Sequence, residues 1–407
     1  MRWTFWLSIG LLALALSACA ALRTGPSTLL RTGPSPTTAV PTPPATLLPE
    51  EPPPAGAKSQ FSTDFSKHSV PYSEILSGGP PKDGIPAIDE PQFVRIKEAD
   101  EWLEPQEPVV LVQVGDDARA YPIQILMWHE IVNDAVGGVP VTVTFCPLCN
   151  TGVAFERTFE GQVLDFGTTG RLRFSNLVMY DRQTETWWQQ ATGEGIAGEF
   201  TGRQLTFVPA SMISWADFKA ATPDGTVLSR ETGYSRNYGR NPYTGYDDVN
   251  RSPFLYDGPE TPGTLPPMAR VVTVDLNGEA VGYPYEVLQE VHVVNERVGG
   301  VPIVVLWAPG TASALDAASV AGGQDVGAAT TFSRELEGQT LTFVFDGDRG
   351  WRLDEQTGSR WDVLGQAVSG PLAGSQLTPV VSINHFWFSW AAFRPETRVY
   401  SPDQPTS

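Results

Sequence analysis

Cysteine is scarce in this chain of 407 residues, which holds 3. Two of them stand in "VTVTFCPLCNTG" (residues 141–152), where an apolar alternating run ends in Cys146 and Cys149. A Cys-x-x-Cys pair has three chemical uses. The thiols can cycle through a disulfide. Two thiolates can hold Cu(I) or half of a Zn²⁺ site. Or the pair is a passive staple in a loop. A thioredoxin-like dithiol opens a helix of a βαβ unit, whereas "NTGVAFERTFEG" reads as a turn and a strand, which argues against that fold. Attachment of c-type haem needs His directly after the second Cys, and residue 150 is Asn, so it is excluded.

A metal needs further ligands, and the chain has 4 histidines: His68, His129, His292 and His385. With so few cysteines, a closed Cys₄ site within one chain is impossible. His129 is the candidate third ligand or catalytic base. It sits just before the cysteine strand, and a helix-to-strand return can bring it to the strand's end. Glu130 can then orient it or ligate.

The elements that must position these groups recur along the chain. Tyr121-Pro122 matches Tyr283-Pro284, Asn133 matches Asn295, and "VGGVP" at 136–140 matches 298–302. "FERTFEGQVLDF" (155–166) matches "FSRELEGQTLTF" (332–343), Asp181 matches Asp354, and Trp215 and Phe218 match Trp390 and Phe393. A series of matches in one order points to two tandem copies, 108–228 and 269–402, packed with pseudo-twofold symmetry. Each copy reads as a strand, a turn, another short strand, and a helix from Pro122 to about Asp134 or from Pro284 to about Glu296. "VGG" then stops the helix through positive φ. A buried strand follows (139–146 or 301–307), then a hairpin with "EG" at its turn, then a Trp-bearing segment and a short helix. The expected class is α+β, mainly antiparallel sheet with short helices. The second copy has Ala308-Pro309-Gly310 where the first has Cys146-Pro147-Leu148, and Val291 where the first has His129. The sulfurs are therefore not needed to hold the fold. Their joint loss with His129 suggests one shared site in the first copy.

Other candidates flank the cysteines. In "MYDRQTETWWQ", Asp181 and Trp188 recur as Asp354 and Trp361, which favours a structural role for them, an Asp-capped turn and a core Trp. Arg182 and Glu185 do not recur and are candidates to face the site. A bridge at 229–268 carries Tyr, Arg and Asn. Its aromatics argue against disorder, and a connection this long is usually functional. Within it Arg236, Tyr238 and Tyr243 are candidate binding residues. There is no G-x-S-x-G elbow, Walker loop or H-E-x-x-H.

The formal charge of -19 and the lack of any basic run exclude nucleic acid as a partner. The N-terminus "MRWTFWLSIGLLALALSACA" has a basic start, an apolar stretch of leader length, and small residues before Cys19. It resembles a bacterial lipobox, which implies cleavage before Cys19 and lipidation there. Residues 20–57, rich in Pro, Thr and Ser, then read as a tether, and 58–107 as an extension that wraps the body. The expected location is outside the cytoplasm, anchored by lipid to the outer face of a bacterial membrane, where a thiol pair can be oxidised.

"LMWHEIVND", "VTFCPLCNTGVAFER", "NLVMYDRQTETWWQQATGEGI" and "TGYSRNYGRNPYTGYDD" resemble the DUF3179 family, a domain of unknown function, closely over about 110–250 and loosely beyond. The resemblance implies no assigned activity. It does imply that cysteine is more regular at the position of Cys146 than at that of Cys149, so that a role would centre on Cys146. Two readings follow. In the first, Cys146 is the reactive or ligating group, Cys149 a resolving thiol or second ligand, and His129 the base or third ligand, with copper or zinc the candidate ion. In the second, the protein is a non-enzymatic surface module with a passive disulfide.

Overall fold

The computed structural model describes residues 46–403. The expected leader, Cys19 and the expected tether as far as residue 45 lie outside the described residues. Short strands dominate, and the helices are 4 to 7 residues long. Strand pairing is antiparallel, except that Thr226–Leu228 runs parallel to Asp117–Pro122, and Arg398–Val399 parallel to Glu279–Pro284. No helix among the described residues is long and apolar enough to cross a membrane.

The cysteine strand Val139–Cys146 is the centre of a sheet, between Ile131–Val136 and Thr151–Glu156. Its inward side chains Val141, Val143 and Phe145 are fully buried. Before it comes a helix, Ile123–His129, entered from Pro122 at φ -61. Glu130 ends that helix in the left-handed conformation at φ 58, donating its N–H to Leu126 O. The helix is therefore shorter than the expected run to Asp134. Ile131, Val132 and Val136 are β-branched, and pairing with the cysteine strand outweighs helical continuation. "VGG" does not stop a helix. It turns the hairpin between Ile131–Val136 and Val139–Cys146, with Gly137 at φ 55 and Gly138 at φ 80. A Cβ on Gly137 would sit 2.4 Å from Val114 O, so only glycine fits there.

A second string of elements has matching lengths. Pro108–Val114 and Arg270–Leu276 have 7 residues each, and Asp117–Pro122 and Glu279–Pro284 have 6. The helices Ile123–His129 and Tyr285–Val291 have 7, and the long strands Val139–Cys146 and Val301–Ala308 have 8. The second helix also ends left-handed, with His292 at φ 59. In both strings "EG" turns a hairpin with both residues at positive φ, Glu160-Gly161 and Glu337-Gly338. One match shifts. Trp215 opens its helix and donates to Glu107 O, and the residue that does the same later is Trp387, donating to Ala269 O. Trp390, paired with Trp215 on sequence, lies one turn further on.

Recurring polar residues are framework. Asn133 donates to Phe166 O (2.8 Å) and accepts from Phe166 N (3.0 Å), and Asn295 does the same with Phe343 at 2.7 and 2.8 Å. Both amide atoms of Asn133 bond the Phe166 backbone, and Nδ2 also donates to Asp89 Oδ1 (2.8 Å). Asn133→Ala should therefore cost about 2–3 kcal/mol of unfolding free energy in a denaturant titration.

The two strings share a core, in which Ile213, Trp215 and Phe218 pack with Val304, Leu306 and Trp361. The extension is packed as well: Phe61, Phe65, Tyr72 and Ile75 cover Val178, Tyr180 and Trp187. Attachment begins within the Pro-rich stretch, where Leu48 N donates to His68 O and Ala57 is fully buried.

Candidate functional site

Cys146 closes its strand opposite Thr151, and residues 147–150 form the turn. Cys149 N donates to Cys146 O (3.2 Å), and Asn150 takes φ 51 to start the next strand. This tight turn points both side chains to one side. The sulfurs lie 3.1 Å apart, both are free thiols, and the residues are 2 % and 0 % exposed. A disulfide is about 2.05 Å long, so closure needs a movement of about 1 Å.

Cys149 sits in a fixed polar cradle. Its thiol donates to Ser175 O (3.2 Å), and Asn176 Nδ2 donates to its sulfur (3.2 Å). Asn176 Oδ1 accepts from Gln189 Nε2 and Ala191 N. Gln190 Nε2 donates to Thr144 Oγ1 (3.0 Å) and Thr151 O (3.1 Å), tying the same network to both strands of the hairpin. Behind the turn, Phe386 N donates to Cys149 O (2.8 Å). His385 Nδ1 donates to Thr151 Oγ1 (2.8 Å), whose hydroxyl donates on to Cys149 O (3.3 Å). Complete burial holds His385 neutral, its pKa pushed down to about 3.

Cys146 faces a cavity of about 90 Å³, which Cys149 does not line. Glu130, Pro147, Leu148, Leu177 and Tyr243 share its wall. The helix end explains Glu130: the left-handed turn swings its carboxyl inward, while His129, one residue earlier, points away. Burial raises the Glu130 carboxyl to about 8. Burial also pushes the Cys146 thiol well up, helped by its bond to Cys149 and by the nearby Cys149 and Glu130 charges. Burial raises Tyr243, with Glu130 and Cys146 adding to it. Tyr246 OH donates to Leu148 O (3.0 Å), fastening the bridge to the cysteine turn. The bridge is itself held from beyond: Asn241 Nδ2 donates to Ala317 O, and Gly245 N to Asp316 O.

The model of the family described as "Protein of unknown function (DUF3179)" matches residues 82–397, more than half of the chain. The chain belongs to the DUF3179 family. One match runs through both strings of elements and the bridge between them. No curated protein and no solved structure matches the chain.

In this DUF3179 chain His129 is not the third member of the cysteine site. Its Nδ1 donates to Pro86 O (2.7 Å) and its Nε2 accepts from Tyr238 OH (2.7 Å), so neither nitrogen has a free lone pair. Burial lowers its pKa, which keeps it neutral in that role. A zinc site with three protein ligands is not formed around the cysteines. Among the described residues no three His, Cys, Asp or Glu side chains are placed to hold a metal ion. The sulfurs at 3.1 Å are also closer than the roughly 3.8 Å separation that tetrahedral zinc imposes with Zn–S bonds of about 2.3 Å.

The remaining candidates divide. Tyr243 and Glu130 reach the cavity. Tyr238 instead sits between His129 and Thr232 Oγ1 (2.6 Å). Arg236 is exposed, bonded to Ser235 O (3.2 Å) and set over the Tyr234 ring. Arg182 pairs with Asp89 (2.6 Å), and Glu185 holds Ser62 and Lys82, so both tie the extension down rather than face the cysteines. Ser175, Asn176, Gln189, Gln190, Tyr246 and His385 belong to the site or its support and were not singled out on sequence. The loss that linked His129 to the cysteines extends to others: counting from Asp354 and Trp361, Arg349 stands for Asn176, and Asp362 and Val363 for Gln189 and Gln190.

Proposed function

We propose that this protein is a thiol redox protein whose Cys146 and Cys149 interconvert between dithiol and disulfide. Oxidation removes two protons and two electrons and forms the Sγ–Sγ bond. Cys146 is the reactive thiol because it faces the cavity, and Cys149 is the resolving thiol, held by Asn176 and Ser175. Glu130 is the proton acceptor for Cys146, taking the place first given to His129. The observation that carries the reading is two free sulfurs 3.1 Å apart, with Cys146 sharing a cavity wall with the buried Glu130 carboxyl. The lipobox-like sequence at Cys19 supports export and lipid anchoring, which would put the dithiol where oxidants are present. Matched element lengths and the repeated Asn133/Asn295 and Asp181/Asp354 bonding support tandem duplication. On that reading the later copy lost the sulfurs and became a buttress for Tyr243 and Tyr246.

Burial of both thiols also suits a passive staple, and a redox titration separates the two. The folded full-length chain should show one reversible two-electron transition, by alkylation and mass, at a midpoint above about -300 mV. Cys146→Ser and Cys149→Ser should each abolish it. A midpoint well below that value would return the pair to a staple, and the absence of a transition would remove the redox reading.

A further inference from the structure

The inference here rests on the redox reading above. We propose that the oxidant of Cys146 is a small hydroperoxide, hydrogen peroxide or one bearing a short alkyl group, that enters the cavity beside it. The cavity of about 90 Å³ is the open face of the site, and Cys146 is the sulfur that lines it. One water needs roughly 10–15 Å³ of such space, so a molecule of a few heavy atoms fits. A protein disulfide or oxidised glutathione does not. Either would have to bring a sulfur pair in line with a thiol that is 2 % exposed, beneath Pro147 and Leu148. The wall is largely apolar at Pro80, Ile85, Leu172 and Leu177; Arg171 also lines it, with its guanidinium held by Ala55 O (2.6 Å), and Glu130 and Tyr243 are the polar groups that share the lining with Cys146.

The chemistry balances with these residues. Glu130 as carboxylate takes the Cys146 proton. The thiolate attacks the distal oxygen of ROOH, the O–O bond breaks, and the electron pair leaves on RO⁻. Glu130 returns the proton to give ROH and Cys146 sulfenic acid. The Cys149 thiol then attacks the Cys146 sulfur, the S–O bond breaks, and water leaves as the disulfide forms. The net reaction consumes two thiols and ROOH and yields the disulfide, ROH and water. Burial and the neighbouring Glu130 push the Cys146 thiol up, so the first step accelerates with rising pH.

The test compares oxidants on the reduced full chain, each rate divided by that of the same oxidant on urea-unfolded chain. Formation of the Cys146–Cys149 disulfide is followed by quenched alkylation and peptide mapping. Folding should slow oxidised glutathione at least on the order of a hundredfold more than it slows hydrogen peroxide, with tert-butyl hydroperoxide between them. In Cys149→Ser, hydrogen peroxide should leave a sulfenic acid on Cys146 that dimedone traps, and in Cys146→Ser it should leave none on Cys149. Equal folding effects for hydrogen peroxide and oxidised glutathione would overturn the small-oxidant proposal and leave the dithiol reading standing. Failure of every oxidant to form the disulfide in the folded chain would overturn both.

Discussion

Glu130→Gln should stabilise the protein at alkaline pH by an amount that vanishes in acid. The Glu130 carboxyl ionises at about 8 in the folded state, against an ordinary glutamate value near 4.3. Between those values the folded state holds a proton that the unfolded state has released. Stability therefore falls as pH rises through that window, and the loss is complete above about 8. The difference of between three and four pH units corresponds to about 5 kcal/mol at most, less whatever relaxation lets water reach the carboxylate. Glutamine keeps the shape and removes the charge. Denaturant titrations should show the variant more stable than the parent by a few kcal/mol above pH 8 and about equal at pH 4. A variant equally stable at both ends would place the Glu130 carboxylate in water, and with it the proposed proton acceptor. The same substitution should remove the part of the rate rise that follows ionisation of Glu130 near pH 8, leaving the rise that follows ionisation of the buried Cys146 thiol itself.

Asp181→Ala should be the most damaging single change outside the cysteine turn. The side chain is fully buried, and one carboxylate serves the whole turn. Thr184 N (2.6 Å), Thr184 Oγ1 (2.9 Å) and Trp188 Nε1 (2.9 Å) all donate to it. Alanine strands the buried Trp188 N–H, takes the cap from the half-buried Thr184, and leaves a void next to Trp188. A charge-assisted bond contributes about 1.5–3 kcal/mol and each stranded donor costs about 1–3 kcal/mol, so a total of about 4 kcal/mol is expected in urea unfolding. Asp181→Asn keeps the volume and part of the bonding, and should recover about half. The later carboxylate Asp354, bonded alike to Thr357 and Trp361, should behave in the same way. If Asp181→Ala unfolds like the parent, the turn does not depend on the carboxylate.

Much of the framework could be read from the sequence because it rests on local rules. Positive-φ glycines after Glu160 and Glu337, alternating apolar strands, and prolines leading into Ile123 and Tyr285 each report their own neighbourhood. The helix ends differ from the expected ones because strand pairing is not local: Ile131–Val136 follows its partner Val139–Cys146 rather than the helix before it. The site was half legible. The cysteines were visible by type and spacing, and Glu130 and Tyr243 by proximity and composition. Position just before the cysteine strand and joint loss with the cysteines in the second copy both point to His129 on sequence. Its direction was decided by a single left-handed residue, Glu130, which no periodicity reveals. Asn176, Gln189 and Gln190 were hidden because amides are unremarkable in sequence. Only the fold shows that they converge on Cys149. His385 comes from a distant part of the chain and could be placed only by the fold.

Peptide mapping of the folded full chain, oxidised and then alkylated without reduction, tests the central claim most directly. The account predicts one linked peptide joining Cys146 to Cys149 within a single chain, reversed by dithiothreitol, with Cys19 outside the link. Cys146 and Cys149 both carrying the alkylating label after oxidation, or linked only between chains, would contradict it.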